Sequence, residues 1–302
     1  MADSFEVSSP ASPVANGPSR GRGARGGAGI RPLTFGRRMS PAEILAIVWL
    51  VAIVLGAVLV DVLPLPDPDE PDYAAYLQPP SSLHLLGTDD LGRDILSRLL
   101  HGARVSLALA AAAVAGGLLF GLVLGLLAGY FRGWVDRVIA LISDIVLAFP
   151  VLILIMVVVA IRGPSFEGLI IGLAVGTAPG FARMARAHTM TWARREFVTA
   201  SAGLGARHPR LIFGSVLPMV IPPLLVYAFI IAAVVMMAEG ALSFLGYGVP
   251  PPSASWGSMI ASGRKVMQQA PYAVLIPSCA LILTVMSLNV LGDRLDRKGG
   301  SR

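Results

Sequence analysis

Six apolar runs, separated by polar loops, set the organisation of the chain. They cover residues 44–63, 105–129, 135–161, 168–181 (extending to 185), 213–238 and 272–291. About twenty apolar residues at a helical rise of ~1.5 Å span the ~30 Å hydrocarbon core of a bilayer. The pattern therefore predicts an all-α, polytopic membrane protein with six transmembrane helices. An even number of spans places both ends of the chain on one side. Residues 1–40 are rich in Ser, Pro, Gly, Ala and Arg, have little apolar surface to bury, and are expected to be disordered. The run at 44–63 is too long for a signal peptide and no small-residue cleavage site follows it, so it is expected to be a retained first span.

The longest polar interruption late in the chain is RREFVTASAGLGARHPRLIFGSVLP, residues 194–218. Phe197, Ala200 or Ser201, and Leu204 recur at the spacing of a short amphipathic helix. Gly203 and Gly205 are expected to stop it, with Gly205 turning the chain because glycine tolerates positive φ. Arg207 to Arg210 then start a second short helix leading into the fifth span. The same pattern also fits an ordinary basic loop.

Composition reinforces the membrane reading: 55% of the residues are hydrophobic and 14% charged. Of the 24 basic residues, 18 fall before Met39, in residues 131–137, in 183–210 or after Gly292. Positive loops stay inside, so both termini and the 194–218 loop are expected to be cytoplasmic. The organisation that follows is a basic cytoplasmic tail (1–40), a first transmembrane helix (41–63), an extracytoplasmic loop (64–104), a five-helix core (105–293) and a cytoplasmic tail (294–302). The net charge of +6 then reflects topology, with the lipid bilayer as its counterpart and no nucleic acid.

Small and ionisable residues supply the remaining candidates. Gly117, Gly121, Gly125 and Gly129 in the second span and Gly168, Gly172, Gly176 and Gly180 in the fourth recur every four residues. Such faces let helix backbones approach closely, so both are candidates for helix packing. Asp144, early in the third span, and Glu239, at the far end of the fifth, are ionisable groups near membrane depth and, with Met236, are candidates for a translocation path. Solvation near a membrane interface is the alternative for the two carboxylates. Thr88, Asp89 and Asp90 suggest a helix N-cap and acidic first turn before the second span, and a metal site at Asp89, Asp90 and Asp94 is the weaker reading. The Gly-, Pro- and aromatic-rich segment after Glu239 suggests a re-entrant or interfacial element, with Trp256 at the headgroup level.

Several chemistries lack their residues. Both lysines, Lys265 and Lys298, follow an arginine, so no phosphate-binding Gly-Lys-Ser/Thr turn is present. His84, His101, His188 and His208 lack metal-ligand spacing, and Cys279 is the single cysteine. The one Gly-x-Ser-x-Gly match, Gly17 to Gly21, falls in the tail expected to be disordered and so offers no strand-to-helix elbow. The chain reads as a non-enzyme, with no metal and no cofactor of its own.

The 194–218 stretch resembles the cytoplasmic EAA loop of ABC importer permeases, whose pattern is Glu-Ala-Ala, three residues, Gly, then a hydrophobic residue and Leu-Pro. The matching positions are Thr199-Ala200-Ser201, Gly205 and Val216-Leu217-Pro218, with Thr199 where many members carry Glu. HLLGTDDLGRDILSRLLHGARVSL before the second span, EGALSFLGYGVPPPSASWG before the sixth and SLNVLGDRLD at the end are similar to the C-type permease of the dipeptide/oligopeptide/nickel branch. The resemblance runs from about residue 83 to residue 296. It implies a type I ABC importer permease in a bacterial cytoplasmic (inner) membrane, paired with a homologous B-type permease, two cytoplasmic ATPase subunits that hold ATP and Mg, and an extracytoplasmic substrate-binding protein. The helix at Thr199 to Leu204 would dock on the ATPase, making Thr199, Ala200, Ser201, Leu204, Gly205, Val216, Leu217 and Pro218 the coupling residues. Di- and oligopeptides are the expected cargo, with nickel, haem or glutathione as alternatives within the branch. A stand-alone secondary transporter is the alternative outside it.

Overall fold

The computed structural model describes residues 39–299, so the reading of residues 1–38 as a disordered tail and the last residues of the 294–302 tail lie outside the described residues. Ten α-helices make up the described chain: α1 Pro41–Leu59, α2 Ile95–Phe131, α3 Gly133–Ala148, α4 Val151–Arg162, α5 Phe166–Trp192, α6 Glu196–Gly203, α7 His208–Leu211, α8 Leu217–Phe244, α9 Trp256–Gly263 and α10 Tyr272–Gly299. The single β feature among the described residues is an isolated bridge between Thr88 and Asp94. Five helical runs are long and apolar enough to cross a membrane, and the bent pair α3 and α4 makes a sixth if taken as one span.

The third span, expected at 135–161, is broken in the middle. α3 and α4 meet at 91°. Pro150 has no N–H to donate, and its ring forces Phe149 out of the helical region, to φ −86° and ψ 141°. Hydropathy runs through the break unchanged, so the apolar pattern does not reveal it.

The core of the bundle is the contact of α2 with α5, the most extensive in the chain. Gly117, Gly121, Gly125 and Gly129 face Thr177, Phe181, Ala185 and Thr189 of α5, one residue per turn on each side. A Cβ added at Gly121 or Gly125 would lie 2.4 Å from the Cβ of Phe181 or Ala185. Lipid tails are as apolar as side chains, so helices associate in a bilayer through such close van der Waals contact. The glycines of α5 face elsewhere: Gly172 and Gly176 meet Ile155 and Val151 of α4, and Gly180 meets the Tyr227 hydroxyl of α8. Gly168 lies over Gly163 and Ser165, where its own helix begins. Each stripe thus seats a different neighbour.

α1 lies against α10 and α2. The indole N–H of Trp49 donates to Thr284 Oγ1 at 2.9 Å, and Glu43 at the start of α1 pairs with Arg294 near the end of α10 at 3.5 Å. The two described ends of the chain therefore lie at the same end of the bundle. Tyr130, near the end of α2, bonds His208 of α7 there too, at 2.9 Å. This end carries residues 194–218 and is called the loop end below.

At the far end, residues 63–94 form an ordered cap. Asp94, and not Thr88, is the N-cap of α2, accepting from the Ser97 amide at 2.8 Å. Thr88 instead accepts from the Gln78 amide and donates to the Ala75 carbonyl. Asp89 pairs with Arg93 at 2.8 Å and with Arg98 at 3.5 Å, and Asp94 also bonds His84 at 3.0 Å. These carboxylates are taken up by caps and ion pairs within the chain. Gly92 has φ +78°, and a Cβ there would meet the Asp72 carbonyl oxygen, so only glycine lets the two loop segments of the cap pass.

Candidate coupling site

The 194–218 stretch forms a helix, a turn and a second short helix across the loop end. α6 begins after Arg195, which has extended backbone and no side-chain cap, and carries Glu196 in its first turn, where the helix dipole favours an acid. Leu204 donates to the Ala200 carbonyl, Gly205 to Ala202 and Ala206 to Ser201. The last two bonds are the paired 5→2 and 6→1 bonds of a Schellman ending. That ending needs a left-handed residue directly after the cap, and Gly205 supplies it at φ +87°. Gly203, expected to stop the helix, is instead its last residue.

A few inward residues hold the element in place. Val198 is 3% exposed, Leu211 is 4% exposed, and His208 bonds Tyr130. The outward face is apolar: Leu204 is 90% exposed, Phe197 is 46% exposed, and Ala200 is exposed between them. Thr199 and Ser201 return their hydroxyls to the carbonyls of Glu196 and Phe197 at 2.9 and 2.7 Å, so neither projects a free polar group from that face. Arg195 stacks over the Trp192 ring at 5.1 Å beside it. An eight-residue helix fixed at its back, with its leucine and phenylalanine turned outward, has the form of a docking knob.

The eight sequence-expected coupling residues divide between two places. Thr199, Ala200, Ser201, Leu204 and Gly205 lie on α6 and its turn. Val216 is fully buried, Leu217 is half-buried and Pro218 is exposed at the root of α8. Between the two places, Ile212–Val216 forms one π-helical turn leading directly into α8, so the run His208–Phe244 is helical throughout. Val216 therefore anchors the loop to the bundle and does not belong to its outward face. Pro218 opens α8, while Pro222 and Pro223 lie inside it, leaving carbonyls above them without their usual partners.

The three path candidates have different surroundings. Asp144 is on the surface, paired with Arg183 of α5 at 2.7 Å. Met236 and Glu239 are each 1% exposed, enclosed by their own chain. Glu239 is not solvated at an interface: Ser243 and Ser255 donate to its Oε1 at 2.8 and 2.7 Å. Trp256, expected at the headgroup level, is also fully buried, its indole N–H donating to the Leu99 carbonyl at 2.9 Å. The only sequence signal for this burial was the Ser-x-x-Ser of SASWGS, which caps α9 from both sides. An apolar cleft of ≈ 390 Å³ lies among Gly116, Phe120, Ser143, Val146, Ala174 and Pro179 on α2, α3 and α5. Ser143 supplies the sole side-chain polar atom of its lining.

The chain is thus a multi-span helical bundle with an outward helix-turn-helix at one end. The comparisons specify the class: residues 121–299 match the family described as the binding-protein-dependent transport system inner membrane component, and the chain belongs to that family of ABC importer permeases. It is 39% identical over 254 residues to the dipeptide transport system permease protein DppC of Alkalihalophilus pseudofirmus, covering 83% of this chain and 84% of that one. It is 40% identical to the di/tripeptide transport system permease protein DppC of Pseudomonas aeruginosa, covering 76% and 78%. It is 37% identical to the glutathione transport system permease protein GsiD of Pectobacterium atrosepticum, covering 74% of each. The fold is also that of a chain in the inward-facing MetNI methionine ABC transporter, with a TM-score of 0.56 at 21% identity, covering 67% of this chain and 96% of that one. The expected ABC importer permease class is borne out, with five continuous spans and a sixth if the bent pair is taken as one.

Proposed function

We propose that this chain is the C-type half of the membrane channel in an ATP-driven importer of short peptides. The observation that carries the coupling role is the outward face of α6. Leu204, Phe197 and Ala200 present apolar surface at the end of a membrane protein where water, and not lipid, is the alternative neighbour, and such surface marks a protein contact. Arg194 and Arg195 flank it, Arg207 and Arg210 follow, and this basic density supports a cytoplasmic loop end. Both termini are then cytoplasmic, since Glu43 and Arg294 meet at the same end. The occupant of the knob is one of two ATPase subunits, which hold the ATP and Mg that this chain does not bind.

A zwitterionic peptide is costly to bring into an apolar space without partners. The ≈ 390 Å³ cleft has none to give beyond one hydroxyl, so the passage is completed by a second, homologous B-type permease. An extracytoplasmic binding protein delivers the cargo at the far end. ATP-driven closure of the ATPase pair moves α6 and tilts α5 and α8, to which it is joined, as a two-state rigid-body switch. Peptides are favoured as cargo by the two dipeptide and di/tripeptide permeases among the relatives. Glutathione is the second reading, supported by the relative that transports it.

The test is uptake of labelled di- to tetrapeptides into vesicles bearing the assembled complex, with unlabelled glutathione as competitor. ATP-dependent uptake of peptides that glutathione does not displace supports the peptide reading. Displacement by glutathione selects the second reading, and uptake without ATP contradicts both.

A further inference from the structure

Glu239 is a fully enclosed carboxylate in a bilayer-spanning helix, and none of the coupling chemistry above uses it. Its environment is specific. Oε1 accepts from Ser243, one turn along α8, and from Ser255, the N-cap of α9. The Gly257 backbone, in the first turn of α9, packs against the same carboxyl group. A side chain at residue 257 would strike it, since a Cβ there would lie 2.7 Å from Oε2 and 2.8 Å from Gly240 Cα. A carboxyl group lodged in apolar surroundings is costly unless hydrogen-bond partners surround it, and the two serines supply them.

Two further contacts complete the junction. The Trp256 amide donates to Ser106 Oγ of α2 at 3.1 Å, and the Trp256 indole to the Leu99 carbonyl. Arg264, directly after α9, stacks on Phe244 at the end of α8, 4.5 Å from its ring centroid. The first turn of α9 is therefore bonded to α8 through Glu239 and to α2 through Trp256. α8 is also the helix that continues from the cytoplasmic loop without interruption, His208–Phe244.

We infer that Glu239 is a positioning residue for transport: it locks α9 to α8, so that movement imposed on the loop reaches the extracytoplasmic side as one rigid body. The inference rests on the importer reading and adds to it the residue that carries movement across the membrane. Without the carboxylate, α8 slides past α9, ATP is still hydrolysed, and the far end no longer responds.

The experiment uses the assembled complex with Cys279→Ser and spin labels at Leu245→Cys and Met267→Cys, both half exposed and on opposite sides of the junction. The label separation is expected to be the same before and after ATP addition. In Glu239→Ala the distribution broadens, and uptake falls at least tenfold while ATP hydrolysis changes less than twofold, a split that simple destabilisation does not produce. Glu239→Gln, which keeps the shape and one acceptor oxygen, falls between the two. A label separation that changes with ATP in the otherwise wild-type complex overturns the lock, as does Glu239→Ala with unchanged uptake. If neither Glu239 variant assembles, the labelled complex with Glu239 intact still decides. Absence of any ATP-dependent uptake in the wild-type complex is a different failure, that of the importer reading itself.

Discussion

At Gly121 and Gly125 a single missing carbon sets how close two helices lie. A Cβ at Gly125 would sit 2.4 Å from Ala185 Cβ and 2.5 Å from the Ala182 carbonyl oxygen, and backbone on both sides leaves no flexible side chain to yield. Gly125→Val is expected to cost about 1–3 kcal/mol, the usual range for overpacking a well-filled contact. It should lower the thermal midpoint in detergent, with Gly203→Ala, which meets nothing within 4 Å, as the unchanged control. Asp144 is the opposite case. It and Arg183 form an ion pair with both side chains more than half exposed, 63% and 58%. Such pairs contribute about 0–1 kcal/mol, so Asp144→Asn should leave the midpoint within error. A large drop would show that Asp144 is buried in the assembly. The four-residue glycine spacing is visible in the sequence because packing period and helix period coincide. The Arg183 partner of Asp144 and the Ser255 partner of Glu239 are not, because they come from residues 39 and 16 positions away on other elements.

At the scale of elements, hydropathy reports how long an apolar run is but not its direction. Five of the six expected spans are continuous helices, with ends that extend beyond the apolar limits: α2 runs to 37 residues, about 55 Å, well past the bilayer core. The third breaks at Pro150, and the signal for that break was a dipeptide, Phe149-Pro150, inside an unchanged apolar run. Restoring the missing donor should straighten it. In Pro150→Ala, spin labels at Trp134 and Ile161, both strongly exposed, should move apart as the 91° bend opens. An unchanged separation would mean that packing on α5 holds the bend. The segment after Phe244 was legible as a non-span, although α8 runs past the Glu239 start expected for it, and the burial of Trp256 was not legible. An aromatic in a Gly- and Pro-rich loop has the same sequence signature whether it faces headgroups or plugs a junction between three helices.

For the whole molecule, the two ends carry different tasks. The far end is tied by the cap of residues 63–94, the ion pairs of Asp89 and the junction at Glu239. The loop end presents a small knob whose back is anchored and whose face is free among the described residues. That division was legible from the basic loops and the Arg194–Pro218 pattern, since charge and turn chemistry are local. Which residues of the pattern face outward was not legible, because Val216 and Leu204 are equally apolar and only the fold separates them. Leu204 offers the most direct measurement. At 90% exposure its replacement costs this chain nothing, so Leu204→Glu should leave the permease inserted and its thermal midpoint unchanged. ATP-dependent peptide uptake and co-purification of the ATPase should both fall at least tenfold in that variant. Uptake and co-purification equal to wild type would contradict coupling through α6.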